Sequence, residues 1–342
     1  MDLTRYSRQI LFAGIGEDGQ RKLLNSRVAV VGMGALGTVL ANHMVRAGVG
    51  FVRLIDRDFV EASNLQRQML YTERHAADGL PKAIAAAEML REVNSQVEIE
   101  PIVADLTWKN AEELLTDVDL VLDGSDNFQV RFLVNDVCVQ HEIPWVYGGG
   151  VSANGMTVPI LPGETPCLRC LFESAPAPGT TATCDTAGVL GPIIHIVASY
   201  QAVEAMKLLV GAQDKVRRTM LNIGIWDSST SSIDISKAKR PNCICCGQRV
   251  FEYLNPSTGD EVVSLCGRNS IQISPSEPWN VDLQAIADRL LQSGKVEHNK
   301  FLVRFYVTDD LRLVIFADGR VLVQGTDDVS VARSLYAKYI GM

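Results

Sequence analysis

Short segments of mostly apolar residues recur along the first half of the chain at 28–31, 51–55, 97–103, 119–123 and 144–147. Such runs read as buried strands of a parallel sheet. Between them, residues 38–47, 82–94, 110–115 and 128–141 carry helix-forming patterns. Strand and helix in alternation predict a doubly wound, mostly parallel α/β sheet. Residues 1–24 read as helical and polar, 151–161 as further strand, and the stretch after Pro192 as a long helix to about Val210. The longest uncharged stretch, 187–203, contains Pro192, His195, Ser199 and Gln201, which favours a buried helix over a membrane span.

From Arg249 the pattern changes. Strand-like 270–273, an amphipathic helix with Leu283, Ile286, Ala287, Leu290 and Leu291, strands at 301–307, 311–316 and around Val321, and a helix at 329–339 predict a separate small α+β domain. Asp318-Gly319 suits the hairpin between two of those strands. The expected division is therefore 1–248 and 249–342, the second part lacking a reactive cluster and read as a docking or stabilising module.

The 342 residues are 47% hydrophobic and 21% charged, enough for a sizeable core and more than one domain. A formal charge of −8, with no dense Lys/Arg run, argues against a nucleic-acid backbone as partner. The start lacks the apolar core of a signal peptide, so a cytoplasmic location is expected. The eight cysteines then belong to a reducing environment, where close pairs point to metal or chemistry rather than disulfides.

The first strand runs into Gly32, Gly34 and Gly37, with Ala35 between, in the spacing G-x-G-x-x-G. The first glycine permits a tight turn, the second lets phosphate approach the backbone, and the third lets helix and sheet pack closely. The helix that follows aims its N–H groups and positive dipole end at an anion. The second strand ends in Asp56, where a carboxylate can accept hydrogen bonds from a ribose. These features make a mononucleotide-binding βαβ unit.

Ser63-Asn64-Leu65-Gln66-Arg67 lies in a polar connection beside that unit, a candidate phosphate clamp centred on the donor fork of Arg67. Lys82 opens a helix, where the dipole disfavours a cation unless an anion binds nearby. A buried strand ends in Asp123, with Asp126 and Asn127 following on the ligand side of the sheet. Hard oxygens there suit Mg²⁺ carrying substrate phosphates, while a helix-cap role for Asp126 is the competing reading. The five histidines, at 43, 75, 141, 195 and 298, show no ligand spacing and are read as structural, as is Cys138.

Cys167-Leu-Arg-Cys170 and Cys243-Ile-Cys-Cys246 are two C-x-x-C pairs whose four thiolates match a closed tetrahedral Zn²⁺ site, with Cys245 an ambiguous neighbour. Between the pairs, residues 173–183 are rich in Pro, Gly and Thr and are expected to form a loop ending at Cys184, a candidate nucleophile.

These motifs together resemble the bacterial members of the E1-like activating enzymes, the ThiF/MoeB/HesA group, over residues 1 to about 248. The matching elements are Arg5-Tyr-Ser-Arg-Gln9, the glycine loop, Ser63 to Arg67, Lys82, Asp123-Gly-Ser-Asp-Asn127, both cysteine pairs and Thr186-Ala-Gly-Val189. Ala35 departs from the further glycine found in many relatives. The resemblance implies ATP-dependent adenylation of the C-terminal glycine of a ubiquitin-like sulfur carrier protein ending in Gly-Gly. It implies ribose on Asp56, phosphates on Asn64, Arg67 and Lys82, and Mg²⁺ on Asp126. It also implies a homodimer in which Arg8 reaches the neighbouring subunit's nucleotide, and it aligns Cys184 with a cysteine that thiamine-pathway relatives link covalently to the carrier. The run 186–192 leans towards the thiamine pathway rather than molybdopterin. Two rival classes remain: an NAD(P)-dependent oxidoreductase, which would share 32–56 but has no role for 63–67, Lys82 or the paired cysteines, and a non-catalytic ATP-binding scaffold.

Overall fold

The computed structural model describes residues 3–174, 187–255, 262–265, 269–274 and 281–340. They fall into two compact units, one ending at Pro176 and resuming from Ala187 to Pro256, the other centred on the chain beyond Ser257.

The first unit is built on an eight-stranded sheet. Its N-terminal segment holds α1 (Ser7–Ile10) and α2 (Gly16–Asn25), with a break at 11–15 where one polar helix was expected. Then come β1 (Arg27–Val31), α3 (Ala35–Ala47), β2 (Phe51–Ile55), α4 (Glu73–Ala77), α5 (Lys82–Val93), β3 (Glu98–Ile102), α6 (Ala111–Leu115), β4 (Leu120–Asp123) and α7 (Phe128–Gln140). The unit continues with β5 (Trp145–Val151), β6 (Asn154–Ile160), α8 (Leu168–Leu171), α9 (Gly191–Val210), β7 (Thr219–Gly224) and β8 (Ser229–Asp234). The strand order is β3-β2-β1-β4-β5-β6-β7-β8, parallel from β3 to β5 and antiparallel beyond. The doubly wound, mostly parallel Rossmann-like sheet is therefore present, extended by an antiparallel wing.

The chain winds outward from β1 through β2 to β3, then returns to β4 on the other side of β1. This reversal leaves a crevice at the carboxyl ends of β1 and β4, the position where such sheets bind ligands. Apolar residues on β1, β2 and β4 are fully buried between helices on both faces, as continuous hydrophobic strands require. α9 is long and apolar enough to cross a membrane, but half of its apolar window is buried inside this protein. Ile193, Ile194, Val197, Ala198, Ala202 and Ala205 belong to the core that α3 and β1 share.

The second unit has a six-stranded sheet in the order β11-β12-β13-β14-β10-β9. Its elements are β9 (Val262–Leu265), β10 (Ser270–Ile273), α10 (Leu283–Leu291), β11 (Lys295–His298), β12 (Leu302–Tyr306), β13 (Arg312–Phe316), β14 (Val321–Gln324) and α11 (Val329–Tyr339). Alternate residues Val303, Phe305, Leu313, Ile315, Val321 and Val323 share one core with Ile286, Ala287, Leu290 and Ala332 of the helices. Asp282 and Asp328 cap the two helices, and Gly319, at φ +84°, makes the β13–β14 turn.

Candidate nucleotide site and cysteine cluster

Gly32 takes φ +86°, so the chain can turn sharply out of β1. A Cβ on Gly37 would lie 1.8 Å from the Gly32 carbonyl oxygen, and one on Gly124 would lie 2.6 Å from that same atom. Three glycines thus pack backbone to backbone at the switch point, and Gly124, after β4, is one the pattern of spacing did not reveal. Gly34 precedes α3, and an added Cβ there would meet only Gln68 Nε2 at 4.0 Å, leaving open space over the loop. The helix starts at Ala35, three residues earlier than its apolar pattern indicated. Ala35 is not among the residues with positive φ, so its methyl carries no backbone penalty.

Asp56 Oδ2 accepts the Met33 N–H at 2.6 Å, and Oδ1 accepts the Asp58 N–H at 2.7 Å. Burial pushes the Asp56 carboxyl above its ordinary range, against the pull of the Lys82 ammonium. Lys82 is not a solvated surface residue: it is 4% exposed, and its Nζ lies 3.1 Å from Asp58 Oδ2. Pro81 stands just before α5 as its cap residue rather than within the first turn. The Tyr71 hydroxyl donates to the Met33 carbonyl at 2.6 Å, with the Lys82 carbonyl 3.2 Å away. One buried hydroxyl therefore ties the glycine loop, the 62–71 segment and the start of α5 together.

The clamp residues sit on a short 3-10 turn, Ala62–Asn64, and its continuation. Asn64 is buried and its Oδ1 accepts the Glu61 N–H at 3.0 Å; Ser63 and Gln66 are exposed, and Leu65 is half-buried. Arg67 is half-buried, donates to the Ser63 carbonyl at 3.0 Å, and has no carboxylate partner among the described residues. A Cβ on Gly191, at the start of α9, would lie 3.9 Å from Arg67 Cβ, which brings that helix beside the clamp. Gln68 is buried with its Oε1 unpartnered. An open cradle and a cation with no carboxylate partner among the described residues fit a phosphate-bearing ligand, while the orphaned amide oxygen of Gln68 is left to accept from a donor such as a hydroxyl.

The acids after β4 separate into different tasks. Asp123 is buried and accepts from Ser125 N–H (2.9 Å), the Ser125 hydroxyl (2.7 Å) and Arg131 Nε (2.9 Å). Arg131 in turn donates to the Ser125 and Gly148 carbonyls, at 2.7 and 2.9 Å. Asn127 Oδ1 accepts the Gln129 N–H at 2.8 Å, so the cap of α7 is Asn127 and not Asp126. Asp126 alone is exposed at the mouth of the crevice. Arg57, Asp58, Asp105, Tyr71 and Arg131 were not singled out from the sequence, although Arg57 and Asp58 directly follow a strand-ending acid.

At the N-terminus, the Tyr6 hydroxyl accepts from Asn94 Nδ2 at 2.9 Å, and its ring lies against Gly48. Gln9 donates to Gln20 Oε1 at 2.6 Å and to the Ala47 carbonyl at 3.0 Å. These anchors hold Arg8 exposed, with no acid partner among the described residues.

Away from these residues, the sulfurs of Cys167, Cys170, Cys243 and Cys246 all lie within 4.8 Å of one another. Three pairs are separated by 4.0, 3.7 and 3.5 Å. Zn–S bonds of about 2.3 Å in a tetrahedron place sulfurs about 3.8 Å apart, so the cluster has the dimensions of a zinc site. Cys245 stands outside it and accepts from Asn135 Nδ2 at 3.2 Å. Cys184 lies outside the described residues.

A model of the ThiF family matches residues 6–245. The chain belongs to the ThiF family. The sulfur carrier protein ThiS adenylyltransferase of Bacillus subtilis (strain 168) is 43% identical over 338 residues, 98% of this chain and 99% of that protein. This likeness over nearly the whole chain places it among the adenylyltransferases of the ThiF family. The SAMP-activating enzyme E1 of Haloferax volcanii is 40% identical over 246 residues, 72% of this chain and 89% of that protein. Escherichia coli MccB, solved with MccA-N7isoASN, superimposes with a TM-score of 0.64 at 22% identity, over 72% of this chain and 75% of that one. At that identity the likeness concerns the fold of the ThiF domain alone.

Proposed function

We propose that this ThiF-family chain adenylates the C-terminal glycine of a ubiquitin-like, ThiS-like sulfur carrier protein ending in Gly-Gly, in thiamine biosynthesis in the cytoplasm. The observation that carries this reading is the Tyr71 hydroxyl between Met33 and Lys82, which joins glycine loop, clamp segment and cation into one site. An NAD(P) oxidoreductase has no use for that convergence. The likeness to the ThiS adenylyltransferase extends through the second unit, whereas that to the SAMP-activating enzyme covers 72% of the chain, which supports a ThiS-like carrier.

In this reading Asp56 receives the ribose, the Nδ2 of Asn64 with Arg67 and Lys82 hold the phosphates, and Asp126 holds Mg²⁺. The metal supplies charge neutralisation on the triphosphate when bound. The carrier carboxylate, already ionised at neutral pH, attacks the α-phosphorus as the bond to pyrophosphate breaks. The chain's own work is positioning and charge stabilisation by Arg67, Lys82 and, from the partner of a homodimer, Arg8. Cys167, Cys170, Cys243 and Cys246 carry a structural Zn²⁺ that ties α8 to the 243–246 turn. Residues 249–342 serve as a docking module. Cys184 acts after adenylation, in sulfur transfer from a sulfur donor or in holding the carrier, so Cys184→Ser keeps pyrophosphate exchange and loses thiocarboxylate formation. Unimpaired thiocarboxylate in that variant would leave Cys184 without a role in the reaction.

The test of the function is capture from the source cell with ATP present, followed by mass spectrometry. The expected product is a small protein ending in Gly-Gly whose terminus carries AMP. Tight NAD(H) binding without ATP binding would replace this reading with the dehydrogenase one.

A further inference from the structure

Asp126 sits in the field of two arginines, Arg57 and Arg131. Arg131 is committed to Asp123 and to two carbonyls, as described above. Arg57 is placed differently. It follows Asp56 at the end of β2, and its Nη1 lies 3.1 Å from both oxygens of Asp105, beyond β3. Its Nε is 3.9 Å from Asp58 Oδ1, and Asp126, which follows β4 on the other side of β1 in the sheet, adds a longer-range Coulombic attraction. Burial works to lower the Arg57 pKa, but the carboxylates of Asp105, Asp58 and Asp126 overcome it and leave the pKa raised. Asp105 and Asp58 thus hold, within the field of Asp126, a guanidinium that the reaction itself does not call for.

We propose that Arg57 is the resident counter-ion of the nucleotide site, paired with Asp105 and offsetting part of the negative charge of Asp58 and Asp126 before ligand arrives, so that a divalent cation binds there tightly only together with the triphosphate. The inference rests on the ATP reading above. A divalent ion approaching Asp126 alone meets the repulsion of Arg57, whose side chain is too well held to move far. When the ion arrives on a triphosphate, the anion supplies the attraction that the protein's own acids have already spent on Arg57. Arg57 is a positioning residue in this account, acting through the charge it places beside Asp126.

Mn²⁺ is the probe, added to the zinc-loaded full-length protein and followed by the EPR signal of the free ion, with and without a non-hydrolysable ATP analogue. The wild type should bind Mn²⁺ weakly alone and tightly with the analogue. Arg57→Gln should raise the nucleotide-free Mn²⁺ affinity by about tenfold or more, and adding Asp126→Asn should abolish that gain. Arg57→Lys, which keeps the charge, should behave as wild type. Asp105→Asn releases Arg57 towards Asp126 and should weaken Mn²⁺ in the analogue complex several-fold, a readout that stands if Arg57→Gln does not fold. A folded Arg57→Gln with wild-type nucleotide-free affinity overturns the proposal, as does an unchanged ternary affinity in Asp105→Asn. No analogue-dependent Mn²⁺ binding in the wild type would overturn the ATP reading itself, and the proposal with it.

Discussion

The nucleotide crevice and the cysteine cluster are both assembled from segments far apart in sequence, yet they are stabilised in opposite ways. In the crevice the charges are paired within the protein: Asp123 with Arg131, Asp58 with Lys82, Asp105 with Arg57. In the cluster, four sulfurs face one another, and Cys170 also accepts from the Arg240 N–H at 3.4 Å. The first site is organised before its ligand arrives. The second gathers thiols that would repel once deprotonated, so on the proposed reading a metal holds it together. A binding site that turns over must stay formed when empty, whereas a structural one can take its stability from a permanent guest.

The sharpest way to break that contrast is to remove the metal. Chelation, or Cys170→Ala, should lower the melting temperature by about 10 °C or more and expose the α8 region to proteolysis. Cys245→Ser should retain one zinc per chain by elemental analysis. A reduced, freshly purified protein without zinc would end the metal account.

Within the crevice, structural and ligand-facing acids should behave differently. Asp123→Ala strips a buried arginine of its partner and should cost about 3 kcal/mol or more in denaturant unfolding. Arg67→Ala and Asp126→Ala should lose about 100-fold or more of pyrophosphate exchange while melting within about 2 °C of wild type. Equal destabilisation in all three would mean that Arg67 and Asp126 are structural too.

Arg8 extends the comparison across subunits. Arg8→Ala mixed with Arg67→Ala should regain activity, since random pairing makes half the dimers mixed, each with one intact composite site, giving about a quarter of wild type. No recovery despite proven subunit exchange would put Arg8 in its own chain's site or outside any. The smallest effect is expected from the second unit. Deleting the second unit from Ser257 onward should leave ATP affinity within about twofold while weakening carrier binding or dimer stability. Lost ATP affinity in a folded truncation would contradict a docking role.

Much of this was legible in residues whose neighbours in sequence are also their neighbours in space. Val28 to Asp56 encodes strand, turn, helix and strand locally, so the nucleotide unit could be read directly. The cysteine pairs were legible because their spacing is itself the ligand geometry. What escaped was set by long-range packing. Gly124 matters only because β4 returns beside β1, and Asp105 only because β3 brings it to Arg57. The strand β8, Ser-Thr-Ser-Ser-Ile-Asp, is exposed and polar, so its place at the sheet edge left no apolar signal. Asn127 displaced Asp126 as the α7 cap because its side chain reaches the Gln129 N–H, a choice between adjacent caps that composition does not decide.

The central claim is that the crevice activates a carboxylate on a protein carrier with ATP. The most direct measurement is exchange of labelled pyrophosphate into ATP by the zinc-loaded chain with Mg²⁺ and a ThiS-like carrier. The account predicts exchange that requires the carrier's terminal Gly-Gly and is lost in Arg67→Ala. Exchange that proceeds equally with a carrier lacking that terminus, or is undiminished in Arg67→Ala, would contradict it.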